Sequence, residues 1–137
     1  METRLRGQIA MVSGASKGIG FAIADALAAE GMHLSLCART EVEMNAAAKT
    51  IQDKHDVKCL GFTGDMTHDN IIESWVDATI NKFDGIDILV NNAGVTPTAK
   101  FDALTIRAWR DQFDLKPFGY IEASHLAFPV IGNLAIL

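Results

Sequence analysis

Tyrosine occurs once, cysteine twice and proline three times in these 137 residues, and each shortage removes a class of explanation. Cys37 and Cys59 sit in apolar stretches without metal-ligand spacing, so they read as reduced core thiols of a cytoplasmic protein. No apolar run reaches the ~18 residues that span a bilayer. The opening stretch Met1–Gly7 lacks the apolar segment of a secretory leader. Lysine and arginine form no cluster, and a net charge of −5 disfavours nucleic acid and anionic membranes as partners. His33, His55, His68 and His125 are dispersed, which predicts surface or capping roles rather than a metal site. Ser13 stands in no G-x-S-x-G elbow, so it is not a candidate nucleophile.

What is present is an ordinary globular composition, 49% apolar and 21% charged, which suits one domain over residues 1–137. Short apolar runs at Gln8–Val12, His33–Cys37, Lys58–Thr63 and Asp87–Val90 predict buried strands. Helical spacing fills the gaps between them. Ile19, Ala22, Ile23, Ala26 and Leu27 mark a first helix ending before Gly31, and Met44, Ala47, Ala48 and Ile51 mark a second over Glu41–Lys54. Ile72, Trp75, Val76, Ile80 and Phe83 mark a third over Asp69–Phe83, with Thr67-His68-Asp69 before it supplying capping and turn chemistry. A long fourth pattern, Thr105–Phe128, contains Pro117, which should kink or break it, and Trp109 and Tyr120, both expected to pack. Alternating apolar strands and helices predict an α/β fold, a doubly wound parallel sheet of four strands. A short fifth strand is foreshadowed at Val130–Asn133.

The first strand runs into Ser13-Gly14-Ala15-Ser16-Lys17-Gly18-Ile19-Gly20, a G-x-x-x-G-x-G string that opens a helix. Gly14 suits a tight exit from the strand. Gly18 lets a pyrophosphate approach the backbone, and Gly20 lets the helix sit close to the sheet. The helix start then offers unpaired N–H groups and the positive end of its dipole to phosphates.

This spacing resembles the short-chain dehydrogenase/reductase family. Asn91-Asn92-Ala93-Gly94 after the fourth strand matches that family's NNAG motif, and Asp65-Met66 after the third matches its adenine-binding position. The likeness runs from Gly7 to about Phe128, with the three motifs in order. It implies a Rossmann-type cofactor half whose coenzyme contacts are Gly14, Ser16, Lys17, Gly18, Ile19, Gly20, Arg39, Asp65, Met66, Asn91, Ala93 and Gly94. It also implies a homo-oligomer at full length and a small carbonyl or alcohol substrate. The coenzyme itself follows from one position. An acid at the end of the second strand would bind the ribose 2′-OH of NAD(H), but Ala38 stands there, followed by Arg39. With Lys17 as a second cation, the pair suits the 2′-phosphate of NADP(H).

The family's Tyr-x-x-x-Lys pair is absent: Ser124, not lysine, follows the single Tyr120 by four residues, and no lysine occurs after Lys116. Lys116 also takes the place of the family's relay asparagine, and no catalytic residue is assigned. The uncharged tail Leu126–Leu137 would expose apolar surface unless it adds beside the fourth strand, whose edge is otherwise bare. Asn133 falls near the family's serine position, and the loop Val95–Phe101, with Thr96, Pro97 and Thr98, is expected to border the substrate cleft. The sequence thus reads as the cofactor half of an NADP(H)-dependent oxidoreductase, cut before its catalytic residues and inactive alone. The alternative is a non-catalytic NADP(H)-binding or interaction module that docks on a full-length relative. A methyltransferase using S-adenosylmethionine ranks last, given Ala38 and the NNAG match.

Overall fold

The computed structural model describes residues 3–95 and 98–137, with the backbone alone over 132–136. Its elements follow the expected alternation: β1 (Ile9–Ser13), α1 (Gly18–Ala29), β2 (His33–Ala38), α2 (Glu41–His55), β3 (Cys59–Thr63), α3 (Ile71–Phe83) and β4 (Ile86–Val90). Then come α4 (Ile106–Phe113), a π-turn (Asp114–Phe118), α5 (Gly119–Ala127) and β5 (Ile131–Ile136). All strand pairings are parallel, in the order β3-β2-β1-β4-β5.

Alternation along the strands divides the core between two faces. Ala10 and Val12 of β1, Leu34 and Leu36 of β2, and Ile88 and Val90 of β4 pack with Ala24, Ala28, Met44 and Ile51 of α1 and α2. The residues between them, Met11, Cys37 and Leu89, pack with Ile72, Trp75, Val76, Ala123 and Ala127 of α3 and α5. Helices on both faces explain why the strands read as continuous apolar runs. One buried polar cluster spans the second face: Trp75 Nε1 donates to Ser35 Oγ at 2.9 Å, and Ser35 and Thr79 hydroxyls lie 2.6 Å apart.

Several expectations need correction. Of the residues that mark α1, Ile23 and Leu27 pack partly buried against the core, whereas Ile19 is 74% exposed and Ala22 and Ala26 face out; the fully buried face is Gly20, Ala24 and Ala28. The small residues win because only they let the helix lie against the sheet this closely. Trp109 is exposed at 37% and leans on Phe101, ring centroids 5.8 Å apart, because α4 buries no residue in the core. The turn before α3 is organised by Asp65, whose Oδ1 accepts from the Thr67 amide and hydroxyl; Asn70 occupies the N-cap position and makes no side-chain cap. Pro117 interrupts the long pattern as expected, but over a single π segment: α4 stops at Phe113, Asp114–Phe118 holds the proline, and α5 resumes at Gly119.

The tail does add beside β4. β5 pairs with it through Ile86–Ile131, Ile88–Ala135 and Leu89–Ile136, with a register shift between the first two pairs. Of the residues named from the sequence, Met1, Glu2, Thr96 and Pro97 lie outside the described residues, as does the side chain of Asn133.

Candidate functional site

Strand order reverses between β1 and β4, which grow from the sheet in opposite lateral directions. A crevice opens at that point beyond the carboxyl ends of the strands, where doubly wound sheets bind ligands. A cavity of about 700 Å³ occupies it. That volume lies within the range of cofactor-sized sites.

The glycine loop forms one wall. Gly14 adopts φ +64° and turns the chain out of β1. Gly20 faces β1 so closely that a Cβ there would collide with the carbonyl oxygen of Gly14 and the side-chain amide of Asn92. The first intrahelical bond of α1 runs from Phe21 N to Lys17 O, so the amides ahead of Phe21 lack helical partners. Lys17 occupies the N-cap position, and its side chain makes no cap. Uncapped amides beside a cavity suit an anion.

The opposite wall is the NNAG turn, and Ser13 fastens it. Ser13 is fully buried; its hydroxyl accepts the amides of Asn92 and Ala93, both at 2.9 Å, and donates to Val90 O at 3.3 Å. Asn92 returns the contact, its Nδ2 donating to Ser13 O at 3.0 Å and Gly14 O at 3.2 Å. Two strand ends are thereby locked to each other. Sequence reasoning quoted Ser13 and Asn92 but gave neither this role. Tyr120, half-buried on α5, donates its hydroxyl to Ala93 O at 2.8 Å, and burial raises its pKa.

Of the residues proposed for coenzyme contact, Gly14, Ser16, Lys17, Ile19, Gly20, Arg39, Asp65, Met66, Ala93 and Gly94 line the cavity. Gly18 and Asn91 do not. Gly18, at φ +60°, has open space where a Cβ would stand. Asn91 turns its Nδ2 toward Ser124 Oγ at 3.3 Å, and its Oδ1 is buried without a hydrogen-bond partner. Lys116 does not line the cavity; its Cε lies 2.6 Å from where a Cβ on Gly94 would stand. Val95 borders the cavity, in keeping with the expected loop, while Thr98 does not.

At the end of β2, Ala38, Arg39 and Thr40 line the cavity, as do Lys17 of the glycine loop and the carboxylates of Glu43 and Asp65. Burial pushes the Asp65 carboxyl up, but the Thr67 hydrogen bonds and the nearby charges of His68 and Arg39 outweigh it and hold it below its ordinary value. Asp65 is therefore an ionised acceptor at neutral pH. The Cys37 thiol also borders the cavity, yet burial, with Asp65 nearby, drives its pKa up to about 12 and keeps it protonated. Residues unforeseen as coenzyme contacts from sequence also line the cavity: Glu43, Gly64, Thr67, Asn92, Asp111, Gln112 and Leu115.

These features fit a dinucleotide by shape and donor set: uncapped amides, a side-chain-free approach at the glycines, and cations at one end. Among the described residues, no helix is long and apolar enough to cross a membrane.

Comparison with known proteins agrees with this architecture. The short chain dehydrogenase family model matches residues 8–133. A 3-oxoacyl-[acyl-carrier-protein] reductase of Aquifex aeolicus is 34% identical over 111 residues, covering 81% of this chain and 45% of the relative. Dehydrogenase/reductase SDR family member 4 of Caenorhabditis elegans is 30% identical over 131 residues, 95% of this chain and 50% of that one. Among solved structures, L-sorbose reductase of Gluconobacter frateurii, complexed with NADPH and L-sorbose, superposes with a TM-score of 0.92 at 29% identity. That match covers 96% of this chain and 50% of the reductase. A short-chain dehydrogenase of Burkholderia cenocepacia in complex with NADP gives 0.88 at 30% identity, over 95% and 53% of the two chains. The chain thus spans about half the length of the relatives it matches. Fold, motif order and family match agree: this chain belongs to the short-chain dehydrogenase family.

Proposed function

We propose that this chain binds a nicotinamide dinucleotide in the 700 Å³ cavity, preferring the 2′-phosphorylated form, NADP(H). It would serve as the coenzyme half of an oxidoreductase that moves a hydride between that coenzyme and the carbon of a carbonyl or secondary alcohol. The observation that carries this reading is that Lys17 and Arg39 both line the cavity, with Ala38 where a 2′-OH-binding acid would stand. A planar guanidinium and an ammonium together suit a phosphate dianion. The crystallised relatives named with NADPH and NADP support the same preference.

In this reading the amides opening α1 and the Gly14–Gly20 loop hold the diphosphate. Asp65 and Met66 border the adenine, and Ala93 and Gly94 face the ribose on the nicotinamide side. The coenzyme, when bound, supplies the hydride chemistry. The Tyr-x-x-x-Lys pair is absent from this sequence: the single tyrosine donates its hydroxyl to Ala93 O, and no lysine stands four residues beyond it. The chain by itself is expected to bind and not to turn over.

Titration with NADPH and NADH tests the reading. The unmodified chain should bind NADPH more tightly, and Arg39→Asp should weaken NADPH by about ten- to a hundredfold while leaving NADH nearly unchanged. An equal loss for both coenzymes would reject the assignment.

A further inference from the structure

Helix α2 begins with Thr40-Glu41-Val42-Glu43, and the cap position is Thr40. This is a capping-box sequence, in which the third helical residue, here Glu43, normally reaches back to the cap amide. The box is not made. Thr40 forms no side-chain cap, and the Glu43 carboxylate instead borders the cavity, where its Oε2 stands 3.9 Å from Lys17 Nζ. The pair bridges the glycine loop and the start of α2. Both side chains are well exposed, at 80% for Lys17 and 48% for Glu43, and their separation exceeds a hydrogen bond. Such a pair is weak and easily displaced.

We propose that Glu43 moderates the coenzyme preference by competing with the 2′-phosphate for Lys17. The inference rests on the NADP(H) reading above. Without ligand, Lys17 leans on Glu43. A 2′-phosphate, carrying more charge than a carboxylate and flanked by Arg39, takes Lys17 over, and Glu43 is released toward the unmade capping box. NADP(H) therefore pays a small toll that NAD(H) does not, and Glu43 moderates the preference that Lys17 and Arg39 create.

The test is a titration of the whole chain with NADPH and NADH, in the unmodified protein, Glu43→Gln, Lys17→Met and the double variant. Glutamine keeps the size and the capping capacity of Glu43 without its charge. Glu43→Gln should tighten NADPH about three- to tenfold at low salt, a gain that shrinks at high salt, with NADH unmoved. The gain should vanish in the Lys17→Met background. If the unmodified chain prefers NADPH but Glu43→Gln leaves it unchanged, or tightens both coenzymes equally, the inference falls and the coenzyme reading stands. A gain that survives intact in Lys17→Met also overturns it, because Lys17 would then not be the object of competition. If the unmodified chain shows no preference for NADPH, the coenzyme reading itself falls and takes this inference with it.

Discussion

The hydroxyl of Tyr120 donates to the carbonyl oxygen of Ala93 at 2.8 Å, tying helix α5 to the turn that follows β4. The residue was expected to pack, but Tyr120 belongs to neither core cluster; it is half-buried, and what holds it is its hydroxyl. Because it is the only tyrosine, its ionisation can be followed without interference. Burial raises its pKa, so the folded protein should titrate its phenol above the ordinary tyrosine value, and denaturant should restore that value. The linked stability is complete below the unfolded pKa and is lost as pH rises through the folded one. Tyr120→Phe should cost about 0.5–1.5 kcal/mol in urea unfolding, toward the lower end for a half-exposed bond. No difference from the unmodified chain would show that the bond is not formed.

Ser13→Ala should do more harm. It strands the amides of Asn92 and Ala93, both turned toward a hydroxyl that is no longer there. Unsatisfied buried donors cost about 1–3 kcal/mol. A shift of the urea midpoint in that range, with weaker coenzyme binding, is the expected outcome. Weaker binding at unchanged stability would mean that Ser13 touches the ligand rather than the fold.

Gly20→Ala introduces a methyl group where the Gly14 carbonyl and the Asn92 amide already stand. Neither is the loose end of a flexible side chain, so the helix start must move. A loss of about 1–3 kcal/mol or more should appear in denaturation, together with loss of dinucleotide affinity. Gly18→Ala has open space for the same methyl but a left-handed backbone, φ +60°, so its cost is conformational and smaller.

At the other end of α1, Asp25 accepts from Lys54 at 2.8 Å and pairs with His55 at 2.8 Å, joining α1 to the end of α2. The Lys54 bond, then the His55 bond, hold its carboxyl below the ordinary value despite some burial. A depressed carboxylate contributes stability that is present above its unfolded pKa and lost as pH falls through the folded one. Asp25→Asn should therefore destabilise the protein at neutral pH and flatten the acid limb of its stability profile. Unfolding curves between neutral pH and the carboxylate range would settle this, and parallel profiles for the two proteins would reject it.

Strands were legible because burial on both faces writes them as unbroken apolar runs, as in Ile88-Leu89-Val90. Helix α1 was legible as a helix and only partly in its orientation. Hydrophobic spacing found Ile23 and Leu27, which pack on the core, but also Ile19 and Ala26, which do not, and it missed the fully buried face Gly20, Ala24 and Ala28, which carries little hydrophobic signal. The glycine loop and the NNAG turn could be read because backbone approach and tight turns require particular residues. Their mutual lock could not. Ser13 and Asn92 lie 79 positions apart and meet only because β1 and β4 pair side by side. Glu43 was hidden for a similar reason: its sequence context announces a cap, and only the packing of α2 beside the glycine loop brings it to Lys17.

The small-residue face of α1 has a mechanical consequence. Gly20 and Ala28 are both buried against the sheet, eight residues apart, or about 12 Å at the helical rise. The helix is thus a rigid bar clamped at both ends, with its phosphate-facing tip at one of them. Thickening the contact at Ala28 would tilt the bar about Gly20 and swing the amides at the tip. On the coenzyme reading proposed above, dinucleotide affinity should therefore respond to the bulk of the side chain at position 28, about 12 Å along the helix from Gly20.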